Sequence, residues 1–283
     1  MQLSEELAND ITLMVEVALR EDIGAEDITA RLIPSELNGL GSVTSRQTAV
    51  ICGRPWVDEV YRQIDSHLTV DWLVQDGTEA APGQVLFSVT GQASAILSGE
   101  RTALNFLQTL SATATVSRHY SDLVKHTGAK LLDTRKTLPG LRRAQKYAVT
   151  CGGCYNHRMG LYDAFLIKEN HISACGSIQA AVTAARRSHP QAKLEVEVEN
   201  LQELNQAVDA RPDVIMLDNF CLQDVRYAVA AVNHPIKLEA SGGIESDEEL
   251  IALAETGIDY ISIGAMTKNC QAVDLSMRLS LLP

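Results

Sequence analysis

"KLEVEVENLQELNQAVDARPDVIMLD", residues 193–218, contains two short β-rich runs, "KLEVEVE" and "DVIMLD", with a stretch of helical character between them. Strand, helix and strand in that order make a parallel βαβ unit, because parallel neighbours need a crossover and a helix supplies it. The same alternation extends both ways. "AKLLDT" and "DAFLIK" precede this stretch, and "IKLEA" and "DYISIG" follow it. Runs this apolar suit strands covered on both faces. Six strands are fewer than the eight of a full β/α barrel, so the expectation is an α/β barrel that is incomplete or completed by another element. A doubly wound open sheet is the competing architecture.

The chemically loaded residues fall at or near the C-terminal ends of these runs, where a barrel gathers its active-site loops. Asp133, Thr134, Arg135 and Lys136 follow the first run, and Lys168 follows "FLI". "EVEVE" sets Glu195, Glu197 and Glu199 on one strand face by period-two alternation. If helices cover that face, the three carboxylates need cations or hydroxyls; an edge strand with a solvated acidic face is the alternative. Asp218 is the only acid in "VIMLDNF". Ser241, Gly242 and Gly243 end one run, and Ser262, Ile263, Gly264 and Ala265 another, small enough for backbone N–H groups to approach a phosphate. Together these residues describe a site for a phosphorylated, polyanionic substrate.

Upstream, apolar spacing over residues 9–22 predicts a helix capped by Asn9 or Asp10. From about 41 to 91, short runs such as "SVTSR", "TAVICG", "HLTVDWLV" and "QVLFSVTG" read as strands of a mostly antiparallel sheet, with "PWVDEVYRQI" as a helix among them. Residues 97–127 read as one long helix or two, bridging two domains. Ser246 and Glu249 form a capping box.

The chain has 283 residues, 46% hydrophobic and 21% charged, enough for one large domain or two ordinary ones. No run of 18 apolar residues occurs, and the N-terminus is acidic and polar where a signal peptide would be basic and then apolar. The expectation is a cytoplasmic protein without a membrane partner. A formal net charge of −12 argues against nucleic acid. Against that acidity, residues 134–162 hold no Asp or Glu but include Arg135, Lys136, Arg142, Arg143, Lys146 and Arg158. The reading is a pocket for an anionic ligand; a solvated basic helix face is the plainer alternative.

"CGGCYNHRMG", residues 151–160, sets two cysteines three apart and His157 three further on. Structural zinc would need a further ligand pair at suitable spacing, and a thioredoxin-type dithiol would sit elsewhere in a βαβ unit. The six cysteines, at 52, 151, 154, 175, 221 and 270, are expected to be reduced thiols. A zinc- or redox-regulated interaction protein using Cys151, Cys154 and His157 is the non-enzymatic alternative.

Residues 131–172, "LLDTRKTLPGLRRAQKYAVTCGGCYNHRMGLYDAFLIKENHI", closely resemble the signature region of quinolinate phosphoribosyltransferases. The likeness extends to "ALREDIGAEDIT", "LSGERTALNFLQTLS", "EVEVEN", "IMLDNF", "EASGGI" and "ISIGAMTK". It implies an N-terminal α/β sandwich over residues 1–112 and an incomplete, about six-stranded α/β barrel over 113–283, whose last helix packs back on the sandwich. It also implies a homodimer with the active site between subunits. The implied reaction joins quinolinate to 5-phosphoribosyl 1-diphosphate with Mg²⁺, giving nicotinate mononucleotide, diphosphate and CO2. Carried over by motif, Arg135, His157 and Arg158, with Lys136 and Thr134, would hold quinolinate, and Arg101 would reach in from the partner subunit. Lys136 and Lys168 would face the diphosphate. Glu197, with Glu199 as the other option, and Asp218 would meet the ribose hydroxyls and metal. Residues 241–243 and 262–265 would hold the 5-phosphate. Cys154 stands where the family pattern has glycine, and "GAEDIT" departs from the family's "GDIT". A paralogue with another acceptor, the molybdenum-linked protein sharing the TRK-type motif, is the rival; the longer constellation from Arg135 to Arg158, and Arg101, argue against it.

Overall fold

The computed structural model describes residues 4–232, 235–244 and 246–282. The first three residues of the polar N-terminal stretch lie outside that set. In chain order the elements begin with α1 (Glu5–Ile23), β1 (Asn38–Ser45), β2 (Ala49–Val50), α2 (Arg54–Ile64), β3 (Thr69–Trp72), β4 (Glu79–Ala80), β5 (Val85–Gln92) and α3 (Ala93–Val124). Next come β6 (Lys130–Leu132), α4 (Arg142–Cys151), β7 (Phe165–Ile167), α5 (Glu169–Cys175), α6 (Ile178–Ser188), β8 (Leu194–Val198), α7 (Leu201–Ala210) and β9 (Val214–Asp218). The order closes with α8 (Leu222–Ala231), β10 (Lys237–Ser241), α9 (Asp247–Ala254), β11 (Tyr260–Ser262), α10 (Ala265–Lys268) and β12 (Leu275–Leu281). No described helix is long and apolar enough to cross a membrane.

The chain divides into two compact units that interleave along the sequence. One holds residues up to 118, 138–153 and those from 269 on; the other holds 119–137 and 154–268. The expected cut at 112/113 falls inside α3, one unbroken helix of 32 residues, and the α4 segment belongs with the first unit. The expected last helix is corrected. Residues 275–281 form a strand, with Leu275, Met277 and Leu279 alternating onto the core, and it pairs antiparallel with β1.

In the first unit the sheet runs β12-β1-β5-β3 with antiparallel neighbours, beside a small β2-β4 pair. α1 starts earlier than Asn9 or Asp10. Ser4 caps it, its side chain accepting the Leu7 N–H at 3.2 Å, and Ile11, Val15 and Leu19 line the buried face at four-residue spacing. Trp56, Tyr61, Phe87, Leu104, Leu107 and Leu110 are fully or almost fully buried in one core. At ~25 cal/mol per Å² of apolar area removed from water, each such side chain contributes roughly 1.5–3 kcal/mol before the cost of ordering it.

The second unit is a six-stranded sheet, parallel throughout, in the order β6-β11-β10-β9-β8-β7. That order decides between the competing architectures. Apart from β6 and β7, every strand lies beside its successor, and the first strand pairs with the last, as in a barrel; a doubly wound sheet would reverse direction about a switch point. Among the described residues no ladder joins β6 to β7, and a lone bridge between Leu132 and Tyr155 stands on the β6 side of that gap. The barrel is open at this seam. Leu194, Val196 and Val198 of β8 alternate with Glu195 and Glu197, and all five are buried. The solvated-edge alternative for this strand therefore fails.

Strand ends approach one another closely at β9 and β10. The Asn219 N–H donates to the Ser241 carbonyl at 2.8 Å, and Asn219 itself takes φ 56°. Gly242 has φ 141°, and a Cβ there would meet Asn219 Oδ1 at 2.7 Å. Both conformation and space demand glycine. Gly242→Ala is expected to lower unfolding free energy by about 1–3 kcal/mol, read as an earlier urea midpoint; an unchanged midpoint would show that the turn relaxes freely.

Candidate active site

The barrel strands deliver most of the expected residues to their C-terminal ends. Lys168, just after β7, forms an ion pair with Glu197 of β8. Glu197 is 8% exposed, whereas Glu199 lies past the strand end and is exposed. The second carboxylate, Asp218, ends β9 half-buried, with the Asn219 side-chain amide donating to it at 2.8 Å. Burial pushes the Glu197 carboxyl above the ordinary range and the negative charge of Asp218 adds to this, while Lys168 opposes both. A lysine and two acids are thus mutually dependent for charge.

Thr134, Lys136 and Gly264 meet between the ends of β6 and β11. A Cβ on Gly264 would touch Lys136 Cδ at 3.2 Å and Thr134 Oγ1 at 3.5 Å. The Thr134 hydroxyl accepts the Lys136 N–H at 3.1 Å, and the Thr267 hydroxyl donates to the Lys136 carbonyl at 2.8 Å. Ile263 is buried and its N–H donates to Leu132, joining the same two strand ends, while Ala265 opens α10. Ser262 is turned inward, bonded to Glu239. Gly243 has open space where a Cβ would sit.

His157 is held on all sides. Its N–H donates to Asp133 Oδ1 at 2.9 Å, and Nδ1 accepts the Arg158 N–H at 2.7 Å. Nε2 lies 2.9 Å from Glu195 Oε2 and 3.6 Å from Glu239 Oε1. With Nδ1 accepting, the ring proton sits on Nε2 and is donated to Glu195. Glu195 and Glu239 are 3% and 1% exposed, and Oε1 of each lacks a hydrogen-bond partner. Burial first, and then the charge of Glu195 beside it, push the Glu239 carboxyl well above the ordinary range, with the Ser262 hydroxyl working the other way. One proton on Glu239 supplies the donor that two facing carboxylates need. The expected anion ligand His157 thus has both ring nitrogens engaged by the protein.

Arg158 lies within electrostatic reach of Arg135. Burial first, and then the positive charge of Arg135, lower the Arg158 pKa. One Arg158 nitrogen donates to the Ala164 carbonyl at 3.1 Å. Glu195 and Asp163 offset part of that charge, and two guanidinium groups within electrostatic reach of each other suit an anionic ligand.

The basic segment does not act as one patch. Arg142, Arg143 and Lys146 belong to α4 in the first unit, where Arg143 lies 3.4 Å from Glu6 and 3.2 Å from Asp10, and Lys146 is fully buried. Arg101 also lies in the first unit, exposed on α3. Sequence reasoning overlooked Glu239 and the roles of Asp133 and Glu195. The rule that singled out Asp218, one acid in an apolar strand, applies equally to Glu239 in "KLEAS". Cys154 is buried outside the left-handed region, so its Cβ imposes no backbone strain.

Models of the N-terminal and C-terminal domains of quinolinate phosphoribosyl transferase match residues 27–111 and 113–278. A Bacillus subtilis (strain 168) protein named probable nicotinate-nucleotide pyrophosphorylase [carboxylating] is 40% identical over 262 residues, covering 92% of this chain and 90% of that one. The Mycobacterium leprae (strain TN) nicotinate-nucleotide pyrophosphorylase [carboxylating] is 39% identical over 272 residues, covering 93% and 94%. Among solved structures, the nicotinate-nucleotide pyrophosphorylase from Francisella tularensis superposes with a TM-score of 0.94 at 43% identity, covering 99% of this chain and 98% of that one.

The Glu239 carboxyl has a folded pKa raised above its unfolded value, so its contribution to stability is complete below about pH 4 and is lost as pH rises towards the folded pKa. Glu239→Gln keeps a neutral donor and removes that titration. Melting temperatures measured from pH 4 to pH 8 are expected to fall less with rising pH in the variant. Parallel curves for the two proteins would mean that Glu239 is ionised throughout.

Proposed function

The chain belongs to the quinolinate phosphoribosyl transferase family, and on that footing we propose that it transfers a phosphoribosyl group from 5-phosphoribosyl 1-diphosphate to quinolinate with loss of CO2. The products are nicotinate mononucleotide and diphosphate, which makes the protein a pentosyltransferase of pyridine nucleotide biosynthesis. What supports the site assignment is that one unit holds Arg158 within electrostatic reach of Arg135, the Glu195–His157–Glu239 cluster and the Lys168–Glu197–Asp218 group. A dicarboxylate answers the first charge problem, and a ribosyl diphosphate answers the second.

In this reading Arg135 and Arg158 present planar forks to the two ring carboxylates, with Lys136 and Thr134 beside them. His157 braces the backbone of Arg158 by accepting its N–H. Lys136 and Lys168 face the diphosphate, and their charge favours its departure. The ribosyl group then carries oxocarbenium character, which Glu197 and Asp218 tolerate while bonding its hydroxyls. The 241–243 and 262–265 segments receive the 5-phosphate. Attack by the quinolinate nitrogen gives a pyridinium, and its positive charge stabilises the carbanion left as the adjacent carboxylate departs as CO2; a proton from water then forms the ring C–H. No covalent nucleophile is required.

Glu197 and Asp218 are oxygen donors of the kind Mg²⁺ prefers, and the repulsion between their negative charges is what a dication would relieve. Held there with the substrate, Mg²⁺ would neutralise the leaving diphosphate. The reading further includes a cytoplasmic location, a homodimer, and Arg101 as a contribution from the partner subunit. The exposure of Arg101 is in keeping with the last.

Purified protein supplied with quinolinate, 5-phosphoribosyl 1-diphosphate and Mg²⁺ is expected to release CO2 and form nicotinate mononucleotide. Turnover of nicotinate but not quinolinate would mean the wrong acceptor. In Arg158→Lys or Arg135→Lys, a point charge replaces a fork, and kcat/KM for quinolinate should drop by roughly ten- to a hundredfold, the equivalent of losing a charged hydrogen bond. Undiminished activity in both would remove the carboxylate clamp.

A further inference from the structure

Cys151 and Cys154 look like a pair in the sequence, but they fall in different units. The thiol that faces Cys151 is that of Cys52, just beyond β2. Both sulfurs and a carboxylate oxygen of Asp76 lie within 4.8 Å of one another. The surrounding backbone is pinned at both ends. The Ser111 hydroxyl accepts the Cys52 N–H at 3.0 Å and lies 3.2 Å from its carbonyl, while Arg118 donates to the Gly77, Cys151 and Gly152 carbonyls at 3.2–3.4 Å. Nothing in the phosphoribosyl transfer uses either thiol.

We propose that Cys52 and Cys151 are a redox modification site, a facing dithiol that a hydroperoxide converts reversibly to a disulfide. A metal is the other chemistry such a cluster invites, but Asp76 is already employed. Its Oδ1 accepts the Gly53 and Arg54 N–H groups at 3.1 and 3.2 Å at the start of α2, and its Oδ2 accepts the Tyr147 hydroxyl at 2.8 Å. Two sulfurs alone fall short of the four donors of structural zinc.

The two thiols have unequal roles. Cys52 is completely buried, and burial raises its pKa, whereas Cys151 is half-exposed and its thiol is lowered, first by the hydrogen bond from Cys52. Cys151, the more exposed and more readily ionised of the two, is therefore the thiol that meets the oxidant, reacting as its thiolate. Its sulfur attacks one peroxide oxygen, the O–O bond breaks, hydroxide leaves and a sulfenic acid forms. Cys52 then attacks that sulfur, the S–O bond breaks, and its thiol proton leaves with the hydroxyl as water. The sulfur pair loses two electrons and the peroxide gains them. Forming a bond of about 2.05 Å draws the last turn of α4 towards Cys52.

The test treats the reduced full-length protein with hydrogen peroxide, then quenches, digests and maps it by mass spectrometry. A Cys52–Cys151 crosslinked peptide that dithiothreitol abolishes is expected, with two of the six thiols lost to maleimide labelling. In Cys52→Ser the crosslink is absent and dimedone captures a sulfenic acid at Cys151, whereas Cys154→Ser leaves the crosslink unchanged. A Cys151–Cys154 crosslink, oxidation confined to the exposed Cys175 and Cys221, or one equivalent of zinc retained by the untreated protein would each overturn the proposal. The wild-type map decides the matter even if Cys52→Ser fails to fold.

Discussion

Burying acids inside a parallel sheet is the constraint on which the catalytic unit depends. Helices cover one face of β8, so the alternate face that carries Glu195 and Glu197 has to turn inward, away from water. An unpaired buried carboxylate would cost several kcal/mol, so each needs a partner. Glu197 takes Lys168 from the neighbouring strand end, and Glu195 takes the Nε2 proton of His157. Glu239 lies farther from that nitrogen, at 3.6 Å, and burial together with the charge of Glu195 raises its carboxyl well above the ordinary range, favouring the protonated form. These solutions place a lysine, a histidine and the backbone of Arg158 before any ligand arrives. The chemistry of the site follows from how the interior pays its electrostatic debts.

A second consequence concerns the direction of His157. Read as a ligand, a histidine should offer a nitrogen to the substrate; here the ring faces the carboxylates below it, while its Nδ1 accepts the N–H of the next residue. Asp133 closes the arrangement from the end of β6. The histidine thereby fixes the backbone of Arg158. Such support matters for a guanidinium that must hold its fork against the repulsion of Arg135.

The six parallel strands were legible because each is a short apolar run with a polar residue at its exit, and all six occur where the alternation put them. Lys168 and Asp218 stood out for the same reason, since a charge at the end of an apolar strand has few places to go, whereas the choice of Glu197 among three alternating glutamates rests on the family resemblance. Partners made through space were less visible. Nothing in "KLEAS" announces that Glu239 lies beside a histidine eighty-odd residues earlier, and nothing in "CGGC" announces that Cys151 faces Cys52. The terminal strand was missed because its short alternating pattern competes with helical spacing over so few residues, and its partner, β1, is more than two hundred residues away in the sequence.

The basic segment shows how local composition misleads. Six cations without an acid between 134 and 162 look like one electrostatic patch, yet the fold assigns them to two units. Those on α4 serve that helix: Arg143 meets the acids of α1, and Lys146 is carried inside. Arg135, Lys136 and Arg158 remain with the barrel. Charge at a site is therefore a matter of where strands end, because a strand end fixes the direction of a side chain, whereas a run of residues along the chain fixes only its composition. Among these cations, Arg158 shows how such a direction is held: its guanidinium donates to the Ala164 carbonyl on its own loop, and its backbone N–H donates to His157 Nδ1.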